Sequence, residues 1–183
     1  MFNESTPVLV VGPSGIGKSW TFDAVRHRFP TCAFGDLDLV ASKWAVRQGI
    51  IAQNDVQVLR RYIPDDQLFL AFGLQSIGAF VIENANKRAV IDVGAGFQVG
   101  RSAEHLHTLH PLISIEASLP AAYQRFVNNR GLRDQSDFFN SEFSNHRRKV
   151  YESAHQRIET TSLTAEETAE RFTLALQIII GES

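Results

Sequence analysis

Cysteine is almost absent from this 183-residue chain, because Cys32 is the only one. A single cysteine cannot form a disulfide within the chain. It also cannot supply a zinc site of four cysteines or of two cysteines and two histidines. Such a composition is typical of proteins in the reducing cytoplasm, which is the compartment we expect.

An excess of positive charge is also missing. The chain has 18 Lys and Arg residues against 20 Asp and Glu residues, which gives a net charge of −2. A protein without an overall basic field is not drawn to the phosphates of nucleic acid or to an anionic membrane surface. We therefore expect neither nucleic acid nor a membrane among the partners. Separately, we expect the protein to be a monomer or a homodimer.

Long hydrophobic runs are missing as well. The first residues carry no positively charged region, and the apolar run at 7–11 ends at a glycine-rich loop, so we do not expect a signal peptide. Residues 68–82 are largely apolar but contain Gly73, Gln75 and Gly78. This stretch is too short and too polar to cross a bilayer, and we interpret it as a buried helix.

Apolar residues are nevertheless frequent enough for a full core. They make up 44% of the chain, and the length is that of one ordinary domain. No internal repeat, low-complexity segment or linker divides the sequence. We therefore predict a single domain over residues 1–183.

The most informative segment is GPSGIGKS, at residues 12–19. It follows the aliphatic run 7–11, which is typical of a strand buried on both faces of a parallel sheet, and it precedes a helical pattern. Glycines let such a loop aim successive N–H groups at an anion, and the helix N-terminus adds its positive dipole end. The segment predicts a phosphate-binding loop formed by Gly12, Pro13, Ser14, Gly15, Ile16, Gly17, Lys18 and Ser19.

Two residues of this loop have tasks of their own. Lys18 supplies a positive charge for the β- and γ-phosphates, and Ser19 supplies a hydroxyl that can coordinate Mg²⁺. ATP and Mg²⁺ are therefore the expected cofactors. The alternative is a glycine-rich turn with a solvated lysine, which the agreement of strand, loop and helix disfavours.

Strand and helix patterns alternate along the rest of the chain. Apolar runs predict further strands at 32–34, 89–93, 112–115 and 157–161. Helical spacing predicts helices at 18–29, 39–48, 54–62, 65–87 and 118–128, and one that starts at Thr164. This order predicts an α/β fold with a single doubly wound parallel five-stranded sheet. We expect residues 38–87 to form helices on the substrate side.

Three aspartates lie near the predicted carboxyl ends of strands. Asp36 and Asp38 are two residues apart, so on a strand both side chains would project to the same side. One carboxylate could hold a water on Mg²⁺ while the other orients or deprotonates an attacking hydroxyl. The alternative is that Asp38 only caps the next helix. Asp92 could serve the metal from behind or simply start a turn.

A polar stretch at residues 129–141 contains a glycine and lies between two helical segments, which predicts a mobile lid. Arg130 and Arg133 belong to it. A lid that brings an arginine onto the phosphates would neutralise charge during phosphoryl transfer. A solvated surface loop is the alternative.

Trp20 and Trp44 each lie in an apolar helical pattern. We expect both to pack against neighbouring side chains rather than to stack on a ligand.

Five segments, in this order, resemble those of the shikimate kinases and, more broadly, of the small-molecule kinases related to nucleoside monophosphate kinases. They are GPSGIGKS, FGDLD, VGAG, RGLR and RRKVYESA, and the likeness covers nearly the whole chain. The resemblance implies the P-loop kinase type of fold with a mobile lid. It also implies transfer of the γ-phosphoryl group of ATP to a hydroxyl of a small acceptor.

The same resemblance implies roles for individual residues. Asp36 would serve Mg²⁺ together with Ser19, and Arg125 would stack on adenine. The catalytic residues would be Lys18, Asp38 as the base, and Arg130 as the lid arginine. The residues that bind the acceptor would be Asp38, Gly94, Ala95, Gly96 and Arg147.

One motif of the family is missing. Its GExxFRxxE segment carries an arginine that clamps the acceptor carboxylate, and counting back from VGAG places Phe72, Gly73 and Ser76 at the equivalent positions. Because a bidentate arginine is hard to replace, the sequence leaves the acceptor open. Two alternatives remain: a gluconate-type kinase, and a nucleotide-binding regulatory protein that has lost its acceptor.

Overall fold

The computed structural model describes residues 3, 5–85 and 87–181. Both ends of the predicted domain, and residue 86 of the predicted helix 65–87, lie outside them. Five strands form one sheet in the order β2–β3–β1–β4–β5, and all neighbouring pairs are parallel. The strands are β1 (Val8–Val11), β2 (Cys32–Asp36), β3 (Arg88–Asp92), β4 (Leu112–Glu116) and β5 (Gln156–Glu159). The predicted five-stranded parallel sheet is confirmed.

Helices connect the strands and cover both faces of the sheet. In the described part of the chain they are α1 (Lys18–Val25), α2 (Leu37–Arg47), α3 (Val56–Tyr62), α4 (Asp66–Glu83), α5 (Gly100–Ala103), α6 (Leu106–Leu109), α7 (Leu119–Arg130), α8 (Gln135–Glu142), α9 (Asn145–Glu152) and α10 (Ala165–Ile180). Short 3₁₀ turns follow α1 and β3. Among these helices, each falls short of the length and apolarity that crossing a membrane requires.

The central strand β1 separates two hydrophobic clusters. Val8 and Val10 belong to the cluster that includes residues of α1, α7, α8 and α10. Leu9 and Val11 belong to the cluster that includes residues of α2, α4 and α9. Successive side chains of a strand point to opposite faces, so a strand covered on both sides needs apolar residues at every position.

The junction of β2 and α2 differs from the sequence prediction. Strand β2 continues to Asp36, and α2 starts at Leu37 rather than at Leu39. The Asp36 carboxylate caps α2, because its Oδ1 accepts hydrogen bonds from the backbone N–H groups of Asp38 (2.8 Å) and Leu39 (3.4 Å). The prediction that both aspartates alternate on a strand was therefore wrong, and the alternative that Asp38 only caps the helix does not hold, because the cap is Asp36.

Two other segments bear on the predictions. Helix α10 begins after Thr164 with a capping box, in which the side chains of Thr164 and Glu167 each accept a hydrogen bond from the backbone N–H of the other residue. The predicted lid at 129–141 consists of the end of α7, a short connection at 131–134 and most of α8. Its mobility stays a prediction.

Candidate active site

A cavity of about 450 Å³ opens at the carboxyl ends of β1, β2 and β3, and we call it the first cavity. Its walls come from the phosphate loop, the start of α2, helix α3, the loop after β3 and the end of α7. Parallel α/β sheets bind their ligands at this end of the strands. The fold thus brings together most of the residues that the sequence singled out.

The phosphate loop joins β1 to α1 and turns at three glycines with positive φ. The φ angles are 149° at Gly12, 73° at Gly15 and 107° at Gly17, in a region that side chains disfavour. Gly17 precedes α1, and no side chain caps this helix. The first N–H groups of α1 therefore remain available to an anion.

Lys18 is buried beneath this loop, with 7% of its surface exposed. Its Nζ donates hydrogen bonds to the carbonyl oxygens of Gly12 (3.0 Å) and Pro13 (3.1 Å). Asp92 Oδ1 lies 3.7 Å from the same nitrogen. These contacts hold the ammonium group at the loop, where an incoming phosphate oxygen can take the place of a carbonyl oxygen.

Asp92 ends β3 and points at the phosphate loop. It is 5% exposed, pairs with Asp36 in the register of β2 and β3, and accepts a hydrogen bond from the hydroxyl of Ser19 at 3.4 Å. Burial raises the pKa of Asp92, while the ammonium group of Lys18 partly opposes this shift. A role as a turn former alone does not account for these contacts.

The Asp38 carboxylate lies against the backbone of the loop after β3. A Cβ atom on Gly94 would lie 2.4 Å from Asp38 Oδ1, so only glycine leaves room for the carboxylate. Burial, followed by the charges of Asp36 and Asp92, raises the pKa of Asp38 to about 6. A carboxylate that titrates near neutral pH is suited to accept a proton from a hydroxyl group.

The acidic residues of this site fit a divalent cation. The negative charges of Asp36 and Asp92 raise the pKa of Asp38, and the buried Oδ1 of Asp92 accepts no hydrogen bond from the described residues. Within residues 3, 5–85 and 87–181, no group of three His, Cys, Asp or Glu side chains could hold a metal ion by itself. Mg²⁺ generally keeps several waters and takes phosphate oxygens as ligands, so it needs few ligands from the protein.

Arg130 and Asn129, at the end of α7, also line the first cavity. The Asn129 side-chain amide donates a hydrogen bond to the Gly15 carbonyl oxygen at 3.1 Å. Arg133 instead lies 4.0 Å from the carboxylate of Glu142. Of the two arginines in the predicted lid, Arg130 is the one that lines this cavity.

Arg147 does not line the first cavity, in contrast to Gly94, Ala95 and Gly96. It is 7% exposed, its Nη1 lies 3.0 Å from Glu142 Oε2, and its Nη2 donates a hydrogen bond to the Ala95 carbonyl oxygen at 2.7 Å. A direct contact of Arg147 with an acceptor would require this arrangement to open.

Glu142 is a site residue that the sequence analysis missed. Its Oε2 accepts a hydrogen bond from the backbone N–H of Ser14 at 2.9 Å, in addition to its contact with Arg147. It thus links α8, α9 and the phosphate loop. A single glutamate in a polar segment carries no sequence signal for such a role, because its partners are distant in the chain.

The position of the missing clamp arginine is filled by aromatic packing. A Cβ atom on Gly73 would lie 2.7 Å from Cε1 of Phe97. The Phe97 ring stacks on Phe69, with 4.2 Å between the ring centroids. No larger side chain fits at residue 73 while these rings are in place.

Helix α3 contributes two further residues that the sequence analysis missed, Gln57 and Arg60. Both line the first cavity. The pair Arg60 and Arg61 looks like an ordinary solvated helix face in the sequence, so nothing in the sequence distinguishes Arg60.

A second cavity of about 300 Å³ lies beside the first, and Trp20 lines both. Trp20 is 46% exposed, so the expectation that it packs against neighbours was wrong. Trp44 does pack, against Phe72, with 4.6 Å between ring centroids. Arg125 lines the second cavity and donates hydrogen bonds to the hydroxyl and carbonyl oxygens of Thr160, both at 2.6 Å.

No protein-family model matches the sequence, and no curated protein matches it either. Solved structures do match. Shikimate kinase from Bacteroides thetaiotaomicron aligns with a TM-score of 0.65 at 15% identity, over 94% of this chain and 98% of that one. Shikimate kinase from Acinetobacter baumannii, in complex with shikimate, aligns with a TM-score of 0.60 at 16% identity, over 97% and 94%.

A gluconokinase from Sinorhizobium meliloti also aligns, with a TM-score of 0.54 at 15% identity, over 98% of this chain and 96% of that one. Likeness at such low identity establishes the fold alone. The chain has the fold of the shikimate kinases and related P-loop kinases, as the sequence resemblance predicted.

Proposed function

We propose that this protein is a phosphotransferase that moves the γ-phosphoryl group of ATP to a hydroxyl of a small polar metabolite. The observation that carries the proposal is the position of Asp38, whose pKa is raised to about 6, in one cavity with Lys18 and the phosphate loop. A base, a phosphate cradle and room for an acceptor are the parts that this reaction requires.

In this proposal, residues 12–19 bind the phosphates of ATP through backbone N–H groups, and Lys18 adds its charge. Ser19 and Asp36 would hold Mg²⁺, and Asp92, which accepts a hydrogen bond from the Ser19 hydroxyl, would position that hydroxyl. Mg²⁺ would supply the positive charge that neutralises the phosphates.

The base of the nucleotide occupies the second cavity. Arg125, fixed by its two hydrogen bonds to Thr160, presents a planar guanidinium there, and Trp20 presents an exposed indole. Both groups can stack on a purine ring. A cavity of about 300 Å³ is large enough for such a ring.

On the other side, the acceptor lies against Gly94, Ala95 and Gly96. The Asp38 carboxylate accepts the proton of the attacking hydroxyl, and Arg130 neutralises charge on the transferred group as the lid at 129–141 closes. We assign Arg147 a positioning role: its Nη2 donates a hydrogen bond to the Ala95 carbonyl oxygen and so holds the loop after β3 in place. The lone, buried Cys32 supports a cytoplasmic location.

The test is the release of ADP from Mg²⁺–ATP by the purified protein. The acceptors are shikimate, gluconate, other polyol acids, nucleosides and nucleoside monophosphates, and a reaction without acceptor serves as the control. Release above the control rate supports the proposal and identifies the acceptor. Tight nucleotide binding without acceptor-dependent release would instead favour a nucleotide-binding regulatory protein.

A further inference from the structure

Three positive side chains line the first cavity in the part of the chain that the structure describes: Lys18, Arg60 and Arg130. Arg60 comes from α3, and its guanidinium lies over the ring of Phe69. That ring stacks on Phe97, which belongs to the loop after β3. Arg60 therefore lies beside the loop that we propose for the acceptor.

The Arg60 guanidinium is held in a defined orientation. Its Cζ lies 4.8 Å from the ring centroid of Phe69, and its Nη2 donates a hydrogen bond to Asp66. The Nη1 atom is buried and has no hydrogen-bond partner among the described residues. A buried donor without an acceptor is unfavourable, so a small movement of the guanidinium that brings Nη1 to an oxygen atom of a ligand would be stabilising.

The ion pair with Asp66 leaves capacity for a ligand. The two side chains are 33% and 46% exposed, and solvent weakens the attraction of such a pair. Asp66 accepts from one nitrogen, whereas a guanidinium has five N–H donors and binds carboxylate or phosphate groups with two of them at once.

The neighbourhood supports the same conclusion. Gln57 lies three residues before Arg60, lines the same cavity and can add an amide donor. The other arginine near this end, Arg147, is already paired with Glu142. At residue 73 the ring of Phe97 leaves no room for a charged side chain.

We propose that Arg60 selects the acceptor by binding an anionic group, a carboxylate or a phosphate, while the hydroxyl of the same molecule faces Asp38. Gln57 assists Arg60 through its side-chain amide. The inference rests on the proposed function, and it restricts the acceptor to hydroxylated anions rather than neutral polyols.

The experiment is equilibrium binding to the full chain saturated with Mg²⁺–ADP. The probes are matched pairs of an anion and its neutral counterpart: gluconate and glucitol, shikimate and its methyl ester, and glycerol 3-phosphate and glycerol. The variants are Arg60→Gln and the control Arg61→Gln. Arg61 is adjacent and exposed, does not line the cavity, and donates through Nε to the Gln57 carbonyl oxygen, so the control removes the same charge.

We expect the unmodified protein and Arg61→Gln to bind at least one anion about tenfold or more tightly than its neutral counterpart, as a charged hydrogen bond provides. Arg60→Gln should lose that preference, and Arg60→Lys should recover only part of it, because lysine lacks the planar fork. Whether the preference appears with the carboxylate pairs or with the phosphate pair shows which anionic group Arg60 binds.

A preference that persists in Arg60→Gln would overturn the inference. So would the absence of any preference in the unmodified protein, including the case in which no anion of the panel binds. Failure of the proposed function gives a different result: an anion would bind through Arg60, yet no acceptor would stimulate ADP release.

Discussion

The two ends of the first cavity are built in different ways. The end that we propose for the phosphates, the phosphate end, is one continuous segment, residues 12–19, and most of the donors that it offers an anion are backbone N–H groups. The end that we propose for the acceptor, the acceptor end, is assembled from side chains on α2, α3 and α4 and from the loop after β3. A backbone site changes little when side chains are replaced, whereas a side-chain site can acquire a new specificity through a few substitutions.

The charged pairs at the two ends of the cavity differ in how far they are buried. At the phosphate end, Lys18 and Asp92 are both nearly inaccessible and face each other at 3.7 Å. At the acceptor end, Arg60 and Asp66 are partly exposed. Among the described residues, Asp92 Oδ1 in the first pair and Arg60 Nη1 in the second both lack a hydrogen-bond partner, so the pairs differ in their exposure. We conclude that the first pair maintains the site, while the second is accessible to a ligand.

The largest effect is expected for Asp38→Asn. This substitution removes the proposed base while keeping the size of the side chain, so turnover on the true acceptor should fall by about 10²-fold to 10⁴-fold. Nucleotide binding should change little, because the phosphate loop is untouched. ADP release and nucleotide titration measure the two effects, and Asp55→Asn, which preserves a helix cap on α3, is the control. A loss below tenfold would remove Asp38 from the role of base.

The pH dependence of the unmodified protein checks the same residue. Turnover should rise with pH as Asp38 loses its proton, with a midpoint at or below about 6, because the charge of bound Mg²⁺ lowers the pKa of Asp38. The pKa of Asp38 in the folded protein lies above 3.8, the ordinary value of an aspartate, so the folded state binds the proton more tightly. The contribution of Asp38 to stability is therefore greatest at low pH and declines as pH rises from about 4 to 6, by on the order of 1–3 kcal/mol. Asp38→Asn should flatten both profiles.

A smaller effect, on stability, is expected for Glu142→Gln. Loss of this carboxylate leaves the buried Arg147 without a counter-charge, which should lower the free energy of unfolding by about 3 kcal/mol. The phosphate loop also loses its charged partner at the Ser14 N–H, so ATP affinity should decrease. Denaturant unfolding and nucleotide titration measure these changes. Combination with Arg147→Met should restore much of the stability, and a double variant as unstable as the single one would contradict this account.

Gly73→Ala should destabilise the acceptor end specifically. The added methyl group would meet the Phe97 ring at 2.7 Å, and such overpacking typically costs about 1–3 kcal/mol. Gly78→Ala is the matched control on the same helix, because a Cβ atom there meets nothing within 4 Å. The control should gain roughly 0.5–1 kcal/mol from helix propensity. Thermal unfolding measures the stability of both variants. Equal changes in stability would show that packing against Phe97 does not restrict residue 73.

The smallest effect is expected for Trp20→Ala. Loss of one stacking surface should weaken ATP binding by about tenfold or less, since aromatic contacts of this kind contribute about 0.5–1.5 kcal/mol. In a Trp44→Phe background, the remaining Trp20 fluorescence should change when ATP binds and should not change with inorganic triphosphate, which has no base. Equal responses to both ligands would place the base elsewhere.

The sequence by itself determined the architecture and the phosphate end. Alternating apolar runs and helical patterns predicted the parallel five-stranded sheet, because strand burial and helix periodicity are local properties of the chain. The loop at 12–19 was equally readable, since its geometry depends on neighbouring glycines and on the helix that follows. The exact junction at Asp36 was missed, because a strand end and a helix cap have similar residue preferences.

Only the tertiary structure identified the residues around the acceptor end. Glu142 contacts Ser14, and Phe97 contacts Phe69, across long stretches of sequence, while Arg60 reaches the cavity through the packing of α3. Each has a residue type that is common on ordinary helices and loops. Their surroundings arise only when α3, α8 and the loop after β3 pack around the carboxyl ends of the strands. The same packing pairs Arg147 with Glu142, leaves Arg60 Nη1 without a hydrogen-bond partner in the described part of the chain, and exposes Trp20. Burial and pairing of charges are properties of the assembled fold, and no local pattern in the chain encodes them.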